Sequence, residues 1–147
     1  MRGATAVLGP DSRLFGTEVV FGSDFFARMR DHKSLLAWQE ARAVVLVLLP
    51  AIRQVKYSYA NPVFSQLQRA ALSVQLNIAE GYALRASKRF RNHLDIAYGS
   101  AVETAELLEL CRDLDLLAAE MIVAMLARCR HCQQLLRGLI KHLGRAS

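Results

Sequence analysis

From Ser34 to Leu143 apolar residues recur at the spacing of one helical face, in long runs that almost nothing interrupts. Only three prolines and eight glycines occur in 147 residues, and several of them fall near the start. The remainder is rich in Ala, Leu, Arg and Glu, all good helix formers. The first helix is predicted from Ser34, a suitable N-cap, to Tyr57, with Leu35, Trp38, Ala41, Val45, Leu48, Ile52 and Val55 as its stripe. Pro50 should kink or break it. The second is expected from Asn61-Pro62, a cap residue and a proline at the first turn, with Val63, Leu67, Ala70, Ala71, Val74, Ile78 and Tyr82 inside. The third starts near Ser87 and buries Phe90, Leu94, Ala97, Ala101, Ala105 and Leu108. The fourth covers Leu117 to Leu143 on Ile122, Met125, Leu126, Cys129, Leu136, Leu139 and Leu143. Four helices with short links predict an all-α, antiparallel up-and-down four-helix bundle over residues 34–147.

Two local features add expectations about packing. Val44 to Leu49 is apolar on every side, more than a small bundle buries within itself. Val44, Val47 and Leu48 are therefore the expected subunit contact of a homo-oligomer. Gly99 sits mid-helix, where glycine costs about 1 kcal/mol against alanine. That cost suggests close approach to another backbone at Gly99.

Residues 1–33 read differently. Gly3, Gly9, Pro10, Gly16 and Gly22 break any period, and Thr17-Glu-Val-Val-Phe21 is a short strand pattern without a partner. A loose extension is expected. No signal-peptide core is evident at the start, and the apolar run beginning at Ala43 is far short of the roughly 20 residues that span a bilayer. Three cysteines, an odd count, fit free thiols in a reducing cytoplasm.

Catalytic and metal-binding patterns are weak. In Cys129-Arg-His-Cys132 the two cysteines share a helical face, but His131 points elsewhere and Cys111 lies toward the other pole. Zinc needs about four converging ligands, so buried thiols are the better reading. Glu103 and Glu106 share a face without the Glu-x-x-His partners of a bundle iron site, which leaves surface or interface ion pairing. Asn77 and Glu80 are expected to cap or bridge the second and third helices. No phosphate loop or nucleophile elbow is present, so no catalytic residue, metal or cofactor is assigned.

The charge is more telling. The chain carries +6, with an isoelectric point near 9.7. In an up-and-down bundle the start of helix one, end of helix two, start of helix three and end of helix four share a pole. Arg28, Arg30, Lys33, Arg85, Lys88, Arg89, Arg91, Arg137, Lys141 and Arg145 fall there, against Asp31, Glu80 and Asp95. The rest of the chain from residue 28 is neutral. Lys88, Arg89 and Arg91 also oppose the dipole at the start of helix three. Charge placed against the local field suggests another use, and Arg85, Lys88, Arg89, Arg91, Arg137, Lys141 and Arg145 are the candidate nucleic-acid contacts. Phe90 belongs to the predicted core and Tyr82 is ambiguous, so no stacking platform is indicated. Salt-sensitive contact with the nucleic-acid backbone is the expected mode. A purely structural or protein–protein scaffold is the alternative.

Several of these residues resemble a known family. Trp38-Gln39, Arg69-Ala-Ala, Asn77-Ile-Ala-Glu-Gly81, Ile96-Ala-Tyr-Gly-Ser100 and Glu103 resemble the bacterial four-helix proteins encoded by intervening sequences of 23S ribosomal RNA genes. Accessory proteins of diversity-generating retroelements are structurally related to that family. The match runs from about Arg30 to Leu143; Pro50 to Ala60 does not contribute, and residues 1–28 have no counterpart. The resemblance implies a four-helix protomer, a ring-shaped homopentamer and a non-enzymatic role. In that role a basic surface meets RNA, DNA or a reverse-transcriptase-like enzyme, with no membrane involved. It also makes Met29 an expected start, with a real appendage as the alternative.

Overall fold

A computed structural model describes residues 31–84 and 87–145. They form four helices: α1 (Leu36–Gln54), α2 (Asn61–Leu84), α3 (Ser87–Asp113) and α4 (Ala119–Arg145). The described residues contain no strand. The expected strand at residues 17–21 and the rest of residues 1–30 lie outside the described residues.

The entry to α1 differs from expectation. Ser34 does not cap the helix. It closes a 3-10 turn, His32–Ser34, in which the Asp31 carboxylate accepts from the Lys33 N–H and the Ser34 hydroxyl donates to the Asp31 carbonyl. The turn packs on the bundle. The His32 ring meets Trp38 edge-on at 5.2 Å and lies 6.1 Å from Tyr82. Residues 31–33 thus belong with the bundle, although their sequence reads as extension.

Pro50 does not break α1, which runs on to Gln54. Pro50 removes one N–H from the helix ladder, and the carbonyl it orphans belongs to Leu46. Both residues are exposed, so water can take that carbonyl. The helix ends earlier than its apolar pattern: Val55 is already extended.

Hydrogen bonds and close contacts order the helices. Between α2 and α3, Gln66 meets Glu103, Ser73 meets Ser100, and Asn77 meets His93. Between α3 and α4, Ala101 meets Gln133 and Glu109 meets Arg130. Between α1 and α4, Ala37 meets Cys132 and Glu40 meets Arg128. The interior fills in two halves. One gathers Leu35, Trp38, Ile78, Phe90, Leu94 and Leu139; the other gathers Leu48, Ile52, Phe64, Leu67, Leu108 and Ile122. Between them Ala41, Ala71, Ala101, Thr104, Cys129 and Cys132 leave a void of only about 10 Å³. Small side chains there let the helix backbones draw close.

Two packing expectations need correction. Val44 and Leu48 are buried inside the protomer and are not a free subunit face. A helix drawn into a four-helix core buries about half its circumference, and these two point inward. Val47 is 42% exposed, beside Leu46 at 60%. Gly99 is exposed, and a Cβ built there would touch nothing within 4 Å. Close approach occurs instead at Gly81, whose missing Cβ would lie 2.7 Å from His93 Cβ and 2.8 Å from the Phe90 ring.

The α3–α4 connection rests on one unusual backbone position. Asp115 has φ 52°, in the left-handed region. The Leu116 N–H reaches the Cys111 carbonyl at 2.9 Å and the Asp115 N–H reaches Arg112 at 3.1 Å. This double closure is a Schellman motif, normally completed by glycine. Leu116 then tucks into the core against Cys111. Asp115→Gly relieves the left-handed strain and should raise stability by about 0.5–1 kcal/mol, read as a higher urea midpoint at unchanged slope. An unchanged or lower midpoint would mean that the Asp115 side chain contributes more than its backbone strain costs.

Candidate nucleic-acid interface

The start of α3 and the end of α4, which carry the described candidates Lys88, Arg89, Arg91, Arg137 and Lys141, lie side by side. Arg91, in the second turn of α3, brings its guanidinium within 3.0 Å of where a Gly144 Cβ would stand, at the last turn of α4. Tyr82, near the end of α2, meets Phe90 edge-on at 6.5 Å and faces the His32 turn. Lys33, Lys88, Arg89, Arg91, Arg137 and Lys141 are all exposed. Arg85 and the Arg145 side chain lie outside the described residues.

The pairing of charges is uneven. Toward the middle and far half, three arginines are matched to acids: Arg128 to Glu40 at 3.0 Å, Arg130 to Glu109 at 3.4 Å, and Arg112 to Glu109 and Asp113 at 3.8 Å, whereas Arg53, Lys56 and Arg69 make no ion pair there among the described residues. Arg42 lies over the Trp38 ring at 5.4 Å. Among the described residues Lys88, Arg89, Arg91, Arg137 and Lys141 make no ion pair. The first turn of α3 contains no acid either. Each base near that helix start costs a few tenths of a kcal/mol or more against the dipole. A counterion or a phosphate relieves that cost.

Arg137 and Lys141 share a groove between α3 and α4 that sequence reading missed. Asp95 and Tyr98 form its α3 wall, and Gln134, Gly138 and Ile140 complete the α4 side. Its volume is about 770 Å³. Tyr98 is half-buried, its ring held against the core. The basic end therefore does have an aromatic neighbour, contrary to expectation. The signal was available as spacing, since 134, 137, 138 and 141 line one face of α4 and 95 and 98 one face of α3. What spacing alone does not supply is the rotation that turns the two faces toward each other.

The motif residues that carry the family resemblance have a different job. They form a polar seam between α2 and α3. Arg69 donates to Gln66 at 2.7 Å, and Gln66 donates to Glu103. The Ser73 and Ser100 hydroxyls meet at 2.8 Å. Asn77 donates to the Ser73 carbonyl at 2.9 Å, and its own amide oxygen meets His93 Nδ1 at 2.9 Å. An amide oxygen only accepts, so His93 carries its proton on Nδ1 here. Glu80 is 3.8 Å from the same nitrogen. Asn77 thus bridges the two helices as expected. Gln66, Ser73 and His93 were not anticipated. With Gly81 packed under Phe90 and His93, the seam sets the register of α2 on α3.

The cysteines are chemically quiet. All three are buried and unpaired in disulfides. Burial pushes the Cys111 thiol up to about 11 and, with a smaller contribution from Glu40, Cys129 up to about 12. Burial raises Cys132 further still, and its Sγ donates to the Ala37 carbonyl at 3.3 Å. The unfolded chain loses these protons near 9, while the fold retains them. Their contribution is therefore fully present below about pH 9 and is lost as pH rises through 9 to 12. Stability should fall there by up to about 1.4 kcal/mol per pH unit for each thiol. Urea unfolding at pH 8, 9 and 10 checks this, with a Cys129→Ala variant expected to show a shallower decline. Among the described residues no group of three or more His, Cys, Asp or Glu could hold a metal ion, and no helix is long and apolar enough to cross a membrane.

Four helices around a mainly aliphatic and aromatic core, with unpaired bases at the start of α3 and the end of α4, define a small helical bundle. The chain belongs to the 23S rRNA-intervening sequence protein family, whose family model matches residues 33–138. Lys141 and Arg145 lie just beyond the matched span. No curated protein matches the chain.

Proposed function

We propose that this chain is an antiparallel up-and-down four-helix bundle that acts as a homo-oligomeric, non-enzymatic binding module, with nucleic acid docking on its basic pole. One observation carries this reading: five bases without acidic partners among the described residues, Lys88, Arg89, Arg91, Arg137 and Lys141, fall together on the first turns of α3 and the last turns of α4. Unpaired bases at a helix start are costly in isolation and useful against phosphate. The family is named for intervening sequences of 23S rRNA, which keeps RNA among the candidate polyanions. Exposed Leu46 and Val47 support self-association through α1, and a ring would repeat the basic pole about its axis. The alternative scaffold reading draws on the same two apolar residues and needs no nucleic acid.

Binding of labelled RNA and DNA, followed by anisotropy as salt is raised, separates the two. Each phosphate neutralised contributes about −0.9 to the log-affinity against log-salt slope for duplex DNA and about −0.7 for a single strand. Contact by all five bases would give a slope approaching roughly −4. No binding, or a flat salt response, favours the scaffold.

A further inference from the structure

We infer that the α3–α4 groove seats a single-stranded ribonucleotide segment, with Arg137 and Lys141 on its phosphates, Tyr98 stacked on a base and Asp95 on the ribose. The inference rests on the nucleic-acid reading above and assigns it a place. Three observations support it. Arg137, Lys141 and Asp95 line one groove, yet neither base forms an ion pair with the acid. Two cations and an anion that face one space without neutralising each other suit a ligand carrying both an anionic group and a hydrogen-bond donor. Second, the groove's volume of about 770 Å³ lies in the range of small-ligand sites, enough for about one or two nucleotides. Third, Tyr98 packs on the core from one side, so its ring orders at little further entropic cost.

The chemistry narrows the ligand. A paired base in a duplex keeps its faces inside the stack, where a half-buried tyrosine cannot reach them. An unpaired base can be splayed out to stack. A carboxylate repels phosphate and accepts a hydrogen bond from a hydroxyl, and the group that RNA offers and DNA lacks is the 2′-OH. Asp95, placed among bases, is thus the residue that would tell ribose from deoxyribose. Gly138 contributes no side chain between Gln134 and Lys141, which leaves the wall low where the strand would enter.

The test compares a 12-nucleotide single-stranded RNA, the DNA of the same sequence and the corresponding RNA duplex on the full-length protein. The parent should prefer the single-stranded RNA. Tyr98→Leu keeps an apolar side chain and removes the ring. It should weaken single-strand binding by about five- to a hundredfold and leave the salt slope unchanged, because stacking releases no counterions. Asp95→Ala should bring the RNA-to-DNA affinity ratio close to one while DNA binding holds or tightens. Arg137→Gln with Lys141→Gln, both exposed, should flatten the slope by up to about 1.4. These last variants keep the test decisive if Tyr98→Leu fails to fold. The groove is overturned if these variants bind with parental affinity, slope and RNA-to-DNA ratio while loss of Lys88, Arg89 and Arg91 weakens binding; the basic-pole reading then survives without it. A duplex or a polyglutamate peptide that competes as well as the single strand also overturns it. A parent that binds no nucleic acid at all ends both readings.

Discussion

Gly81→Val should destabilise the bundle by about 3 kcal/mol and lower the thermal midpoint by several degrees. The position is buried in α2, and the new Cβ would meet His93 Cβ at 2.7 Å, Phe90 Cδ2 at 2.8 Å and the Phe90 carbonyl at 3.3 Å. None of these is the loose end of a flexible side chain. Phe90 is fully buried, and His93 is held by Asn77. Relief would therefore require α2 and α3 to separate, which would stretch the hydrogen bonds of the polar seam. Gly81→Ala brings the same first carbon, partly offset by about 1 kcal/mol of helix propensity. Gly99→Ala is the control. It meets open space and should gain up to about 1 kcal/mol. Equal effects at the two glycines would show that helix propensity, not close packing, governs both.

Replacing Lys88, Arg89 and Arg91 with Gln should have the largest effect on binding. If each base neutralises one phosphate, the triple variant loses about 2.7 from the duplex salt slope. At 0.15 M salt that corresponds to a loss of affinity on the order of a hundredfold. The loss should be nearly uniform across sequences, because phosphate contacts carry no base information. Lys88, Arg89 and Arg91 are exposed, and their removal relieves repulsion at the start of α3, so the unfolding midpoint should hold or rise slightly. Parental affinity with an unchanged slope would remove the basic pole as a binding surface and favour the scaffold.

The four helices were legible because their information is local. Asn61-Pro62 marks the start of α2, and Ser87 that of α3. The apolar stripes of α3 and α4 identify buried residues such as Phe90, Leu94, Ile122 and Leu139. Placing the start of α3, with Lys88, Arg89 and Arg91, beside the end of α4 needed only helix order and short links. The period that places Leu48 inside also placed Val45 and Ile52 there correctly.

What sequence did not determine depends on how each helix is rotated and slid against its neighbours. Helical position marked Gly99 as the site of close approach, but only the α2–α3 register decides that Gly81 lies under Phe90 while Gly99 faces outward. An apolar run does not say which of its further members finds the core, so Val44 joined Val45 and Leu48 inside while Leu46 and Val47 stayed exposed. Tyr98, four residues from Leu94 on α3, reads as core or surface with equal ease. Its place beside Arg137 and Lys141 follows from α4 crossing that face. Periodicity is set by backbone geometry within one helix, whereas these contacts are set by side-chain fit between helices far apart in the chain, and only the tertiary structure resolves them.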